Sequence, residues 1–235
     1  MKLAIMQPYF LPYLGYFQLI DSVEKFIMFD DVNFIKQGWI NRNNFLVNNE
    51  KHLISLPLKQ ISSYKLIKDI NIDTQRYEKW FDKFKKTLVQ SYSKAPYFED
   101  TINLIDSIYR SPKSNLISEL NYLAIQQLCK LIGIKTEIQR TAVQYNNKNL
   151  SGQERVIDIC KRENATAYIN AIGGKSLYEK QTFKDYNIVL FFLQSSDIRY
   201  RQFNKNFVPS LSIVDALMFN SVNKLDRLIK SYDLV

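Results

Sequence analysis

The sequence predicts an α/β protein with a parallel sheet and a mostly helical middle region. Two observations lead there. Short apolar runs flank a helix-like stretch within the first thirty residues, the form of a βαβ unit, which implies parallel strands. Two long stretches at helical spacing then fill the middle before the strand–helix rhythm returns. The 235 residues suit a single α/β domain, with 74–132 as a mostly helical insertion or subdomain.

The elements follow in order. Residues 3–6 are apolar and bounded by Pro8, so they read as a buried strand. A loop rich in Pro and Tyr covers 9–13, and Gly15 to Ile20 opens a helix. Residues 26–29 form a second apolar run, closed by Asp30-Asp31. Residues 52–58 alternate loosely and give a third strand; 68–72 give a weaker fourth. Helical spacing runs over 74–88 and 114–132. In the second stretch Leu116, Ile117, Leu120, Leu123, Ile125, Leu128 and Leu131 share a broad face, and Gly133 caps it. Beyond this, 136–140 is a strand, 153–162 a helix, 166–171 a strand and 187–194 a strongly apolar strand. From Ser212 the chain is helical.

Composition narrows the function. The net charge is +9, but acids interleave with the lysines and arginines and no basic run reaches five residues. That diffuse field suits a phosphorylated small molecule or an anionic surface better than a nucleic acid. Cys129 and Cys160, each among apolar neighbours, read as buried free thiols. With His52 the sole histidine, a structural zinc site is not expected. No apolar run approaches the length of a transmembrane helix. The first residues do not form a signal peptide, so the expected compartment is the cytosol.

Three segments carry candidate chemistry. Gln7 to Tyr16 leaves a strand and enters a helix, at the carboxyl end of a strand where α/β proteins bind ligands. Gln7, Tyr9, Tyr13, Gly15 and Tyr16 are its candidate binding residues. Gly15 near a helix start allows close backbone approach, and free N–H groups there suit phosphate. The aromatics would equally pack the loop onto the core. Asp30-Asp31 closes the next strand; adjacent carboxylates bind Mg²⁺ or divide base and orienting roles, or simply form a turn. In extended backbone only one of the two faces a site. Next come Lys36, Trp39, Asn41, Arg42 and Asn43. Arg42 forks onto phosphate, Lys36 adds charge, the amides hydrogen-bond and Trp39 stacks. A fourth, weaker segment is Gly173-Gly174-Lys175 after a strand, either a phosphate cradle without Walker spacing or a plain turn. Ser212 with Asp215 reads as a helix cap. His52 reads as structural, and no Gly-x-Ser-x-Gly elbow supports a serine hydrolase.

These residues resemble a known family. Met6 to Ile20 and Phe29 to Asn43 closely resemble the opening of WbqC-like proteins. Ala95-Pro96-Tyr97-Phe98, Tyr168-Ile169-Asn170 with Gly173-Gly174-Lys175, and Pro209 to Asp215 continue the likeness in order. The resemblance implies bacterial surface-polysaccharide or O-antigen biosynthesis, with transfer of an amino acid, glycine in particular, onto an amino sugar. A second likeness is to the HxGH nucleotidyltransferase and pantothenate synthetase group, and it implies a Rossmann-like, HUP-like core. The matching positions here read Tyr13-Leu14-Gly15-Tyr16: glycine and topology are kept, both histidines are replaced. Tyrosine is not a cation at neutral pH, so the likeness favours nucleotide binding over adenylyl transfer.

The expected activity is therefore N-acyl, possibly aminoacyl, transfer onto a nucleotide-linked amino sugar. Asp30 or Asp31 would deprotonate the amine, which must lose a proton before it attacks. The acyl donor is open between a thioester, a charged tRNA and an acid activated with ATP–Mg²⁺. The rivals are an ATP-dependent adenylating ligase and a non-catalytic scaffold of glycan assembly.

Overall fold

The structure is a computed structural model and describes residues 1–235. A six-stranded sheet lies at its centre. In chain order its strands are β1 (Lys2–Met6), β2 (Lys25–Met28), β5 (Glu137–Gln139), β6 (Ala167–Ala171), β7 (Val189–Ser195) and β8 (Tyr232–Leu234). The spatial order is β5-β2-β1-β6-β7-β8. All neighbours run parallel except β8, which is antiparallel to β7. The chain moves outward from β1 to β2 and β5, then returns to the other side of β1 with β6. The strand order thus reverses between β1 and β6, a Rossmann-like arrangement with its switch point there.

Alternation along the strands sends side chains to two cores. Leu3, Ile5, Ile27, Tyr168, Leu190 and Phe192 join Val156, Ile159 and Cys160 of α5 (Gly152–Arg162) on one face. Ala4, Phe26, Met28 and Ile169 join the larger core on the other. That core also takes residues of α1 (Leu14–Asp21), α2 (Thr74–Tyr92), α3 (Phe98–Tyr109), α4 (Ile117–Ile132), α7 (Ile213–Phe219) and α8 (Val222–Ile229). Of the apolar stripe expected on α4, Ile117, Leu120, Ile125 and Leu128 are buried, Leu116 and Leu123 are half-buried and Leu131 faces solvent; Gly133 ends the helix at φ 91°. The remaining helix, α6 (Lys180–Lys184), buries Phe183 against Tyr168. Cys129 and Cys160 are free and buried, and burial pushes both thiols up to about 12.

Three expectations are corrected. The strand expected over 52–58 is β4 (Glu50–Ser55), which lies outside the main sheet in a hairpin with β3 (Arg42–Val47). The strand expected over 68–72 is a single 3₁₀ turn, Ile67–Asp69, followed by two isolated bridges, Asn71 to Leu116 and Ile72 to Leu58. No strand is expected over β3, because Arg42-Asn43-Asn44 lacks the alternation of one. Its pairing is set by the partner strand, Arg42 opposite Ser55 through Val47 opposite Glu50.

Asp215 shows how the last helices are held. It is fully buried in α7, and no cation lies within ion-pair reach. Its carboxylate instead accepts from Tyr92 Oη at 3.1 Å, Tyr200 Oη at 2.7 Å and Gln202 Nε2 at 2.7 Å. Burial pushes its pKa above the usual carboxylate range; the three hydrogen bonds only partly oppose this. A carboxyl whose pKa is raised by folding binds its proton more tightly in the native state. Its contribution therefore falls as pH rises from the unfolded value, about 4, through the raised native value. Urea unfolding of wild type and Asp215→Asn over that range should show the wild type losing stability relative to the variant as pH rises. Parallel pH profiles would contradict the assignment.

Candidate functional site

A cavity of 540 Å³ opens at the carboxyl ends of β1, β6 and β7, at the switch point of the sheet. This is where open α/β sheets bind ligands, and the volume is in the range of small-molecule sites. Fourteen of its twenty lining residues are hydrophobic, and none is Asp, Glu, Lys, Arg, His or Cys. The chemistry on offer is therefore neutral: aromatic faces, amides and hydroxyls.

The N-terminal loop forms one wall. Gln7, Tyr9, Tyr13, Gly15 and Tyr16 all line the cavity. The loop is held by buried polar contacts. Asn43 Nδ2 donates to the carbonyls of Phe10 (3.1 Å) and Leu11 (2.7 Å), and Ser212 Oγ donates to Leu11 (2.8 Å). Leu11 has φ 42°, a left-handed conformation that costs a side-chain-bearing residue about 1–2 kcal/mol, and these bonds hold it there. Asn121 Nδ2 reaches across from α4 to the carbonyls of Pro8 and Ile40. The loop is thus set by three distant segments of the chain.

The two tyrosines of Tyr13-Leu14-Gly15-Tyr16 have different placements. Tyr16 is buried and donates to the Gln7 carbonyl at 2.8 Å, fixing the end of β1. Tyr13 is partly exposed, and its ring lies over Gly15: a Cβ on residue 15 would sit 2.5 Å from the ring. Gly15 is thus needed for the tyrosine packed on it. No side chain caps α1; the Tyr16 N–H is taken by the Tyr13 carbonyl at 3.0 Å, and the helix starts beside Gly15 at the cavity wall. Burial raises the pKa of Tyr9 and of Tyr13, so both stay neutral donors at neutral pH.

The opposite wall comes from the turn after β6. Asn170 is buried; its Oδ1 accepts from the Ala171 N–H at 2.9 Å, which orients the amide. Its Nδ2 lies over Gly174, where an added Cβ would come within 2.4 Å. That nitrogen is a cavity-side donor without a protein acceptor. Gly173 and Gly174 both line the cavity, and nothing lies within 4 Å of a Cβ built on Gly173. Lys175 is exposed on the same turn and Lys36 on the facing loop, beside lining residue Ile35. Trp39 lines the mouth and is 39% exposed.

The other candidates lie elsewhere. Asn41 donates to the Leu56 carbonyl at 2.8 Å. Arg42 donates to the carbonyls of Gly38 (3.1 Å) and Gln37, folding its guanidinium back on its own loop. Asn43 is committed to the Pro-Tyr loop. Neither aspartate lines the cavity. Asp30 borders a separate polar cleft, where it accepts from Thr141 Oγ1 (2.7 Å) and the Ala142 N–H (3.2 Å). Burial raises its pKa. Asp31 is buried against Arg155, with 2.7 Å between Oδ2 and Nη2. Sequence reasoning missed Phe29, Tyr178 and Ser195 as lining residues, and gave Asn170 no binding role. The side chains of Phe29 and Asp30 leave the end of β2 toward different cavities.

Fold and cavity together define an α/β protein with a Rossmann-like sheet and a neutral, aromatic ligand cavity at its switch point. The chain belongs to the WbqC-like protein family, whose model matches residues 7–227. It is similar to the uncharacterized protein Rv1507c of Mycobacterium tuberculosis (strain H37Rv), 28% identical over 222 residues that cover 93% of each chain. No solved structure matches it. No helix is long and apolar enough to cross a membrane.

Proposed function

We propose that the cavity is the active site of an N-acyltransferase acting on a nucleotide-linked amino sugar in surface-polysaccharide biosynthesis. The observation that carries this reading is the neutral lining at the switch point, beside the uncapped start of α1. Backbone N–H groups at a helix start and a glycine-rich turn hold a diphosphate without any buried cation. Lys36 and Lys175, exposed next to the lining residues Ile35 and Gly174, add charge from solvent-facing positions. Trp39 offers a face for the base or sugar.

The neutral interior also answers the need for a deprotonated amine. A desolvating site disfavours the ammonium form and lowers the pKa of an amine brought into it. The sugar amine then enters as the free base, and no carboxylate in the cavity is required. Asn170 Nδ2 and the tyrosine hydroxyls are donors suited to the oxyanion that forms when the amine attacks the acyl carbon. The expectation that Asp30 or Asp31 is the base gives way here to substrate desolvation.

Thermal unfolding against nucleotide-linked amino sugars, ATP–Mg²⁺ and acyl thioesters tests the reading. At 100 times Kd a ligand of the native state adds about 2.7 kcal/mol, which raises Tm by about 5–10 °C in a domain of this size. A nucleotide-linked amino sugar should give that shift and, with a donor, an amide product by mass spectrometry. A shift with ATP–Mg²⁺ alone, with pyrophosphate release, would favour the adenylating ligase; a sugar-nucleotide shift without product would favour the scaffold.

A further inference from the structure

We infer that the donor substrate of this cavity carries a hydrocarbon acyl chain, which lies across the apolar rim of the mouth; the inference rests on the transferase reading and names its donor class. Sixteen large hydrophobic side chains are exposed on the molecule, and five of them, Tyr13, Ile35, Trp39, Ile172 and Leu177, line this one cavity. Leu177 is 69% and Ile35 53% exposed. Scattered exposed apolar residues need no explanation, but a cluster around a single cavity marks an interaction site. The rim is continuous with an interior that has no charged side chain, so a hydrocarbon group entering from the rim stays in apolar surroundings. An aminoacyl group would bring a second ammonium for the cavity to desolvate and little hydrocarbon for the rim to cover. An alkyl chain needs neither a counter-charge nor hydrogen bonds, and gains from each methylene removed from water.

In the reaction the amine lone pair attacks the thioester carbonyl carbon. The C–N bond forms and the C–S bond breaks. The sulfur leaves with the bonding pair and takes up the proton that the nitrogen loses, giving an amide and a free thiol. The rim side chains touch only the chain beyond the carbonyl, so they set donor preference.

The test is isothermal calorimetry of the full chain with acetyl, butyryl, hexanoyl and octanoyl coenzyme A, without acceptor. Affinity should rise about two- to fourfold per added methylene, the upper figure corresponding to about 0.8 kcal/mol per fully buried CH₂. Leu177→Ser and Ile35→Ser, both exposed positions, should flatten that slope with Tm unchanged. A flat slope in the wild type overturns the inference. So does sedimentation with phosphatidylglycerol–phosphatidylcholine vesicles that Leu177→Ser abolishes while chain length has no effect, since the rim would then be a membrane contact. Acetyl transfer with a flat slope sinks this inference and leaves the transferase reading standing. A steep slope with no amide product from any nucleotide-linked amino sugar supports the hydrocarbon site and sinks the transferase reading.

Discussion

Asn170→Ala is expected to lower kcat by about 100- to 1,000-fold while leaving substrate KM within a few-fold, the scale of losing one oxyanion donor. The argument is geometric. Asn170 lies one residue before the end of β6, the strand beside the switch point, and the bond from the Ala171 N–H to Oδ1 settles which end of the amide faces the cavity. Nδ2 is left as a fixed donor that the protein does not use. Gly174→Ala supplies an independent check, because its Cβ would come within 2.4 Å of that nitrogen and must displace it. The glycine variant should therefore lose kcat as well, although residue 174 itself brings no chemistry. Asn170→Asp should be equally poor, since a carboxylate donates nothing at neutral pH. Thermal unfolding separates this role from a structural one. Activity loss with Tm within about 2 °C of wild type supports it, whereas unchanged kcat in Asn170→Ala sinks it.

The sheet was legible in the sequence where single segments carry enough signal. Residues 3–6, 26–29, 166–171 and 187–194 are apolar runs that are mostly buried, and all four fall on strands of the main sheet. The α4 stripe and Gly133 were legible for the same reason: periodicity and a cap are local. β3 was not, because Arg42-Asn43-Asn44 forms a strand only through pairing with β4. β8 is three residues long and exists by pairing with the end of β7. The site divides along the same line. The Pro-Tyr loop and the Gly-Gly turn stood out by composition, and both line the cavity. The polar residues of 41–43 stood out too, yet they serve the backbone. Asn43 looks like a ligand-binding amide in the sequence because a residue that satisfies two buried carbonyls has the same chemistry. Tyr178 and Ser195 reach the cavity only because β6 and β7 are neighbours, and no single segment records that.

The second large effect is on stability. Arg155→Met should destabilise the protein by about 3–5 kcal/mol, because it leaves the carboxylate of Asp31 buried without its partner. The pair is almost dry: the side chains of Arg155 and Asp31 are 6% and 0% exposed. Arg155 also donates from Nε to Asn147 Oδ1 at 2.9 Å, and Asn147 Nδ2 donates to Asp158 Oδ2 at 2.7 Å. Its guanidinium lies 4.7 Å from the centre of the Phe29 ring, and Phe29 is part of the cavity wall. At about 2–4 °C per kcal/mol, Tm should fall by roughly 6–20 °C. The double variant Asp31→Leu/Arg155→Met decides what the pair does. Asp31 Oδ1 has no hydrogen-bond partner even in the intact protein, so the pair already bears an unmet desolvation cost. Replacing both charges should recover most of the lost stability. If it does, while ligand binding in the cavity stays weakened, the pair serves the site by fixing Phe29 more than it serves the fold. If the double variant is no more stable than Arg155→Met, the network through Asn147 and Asp158 is itself a structural element. In that case, α5 is held to the sheet by polar contacts as well as by its apolar face.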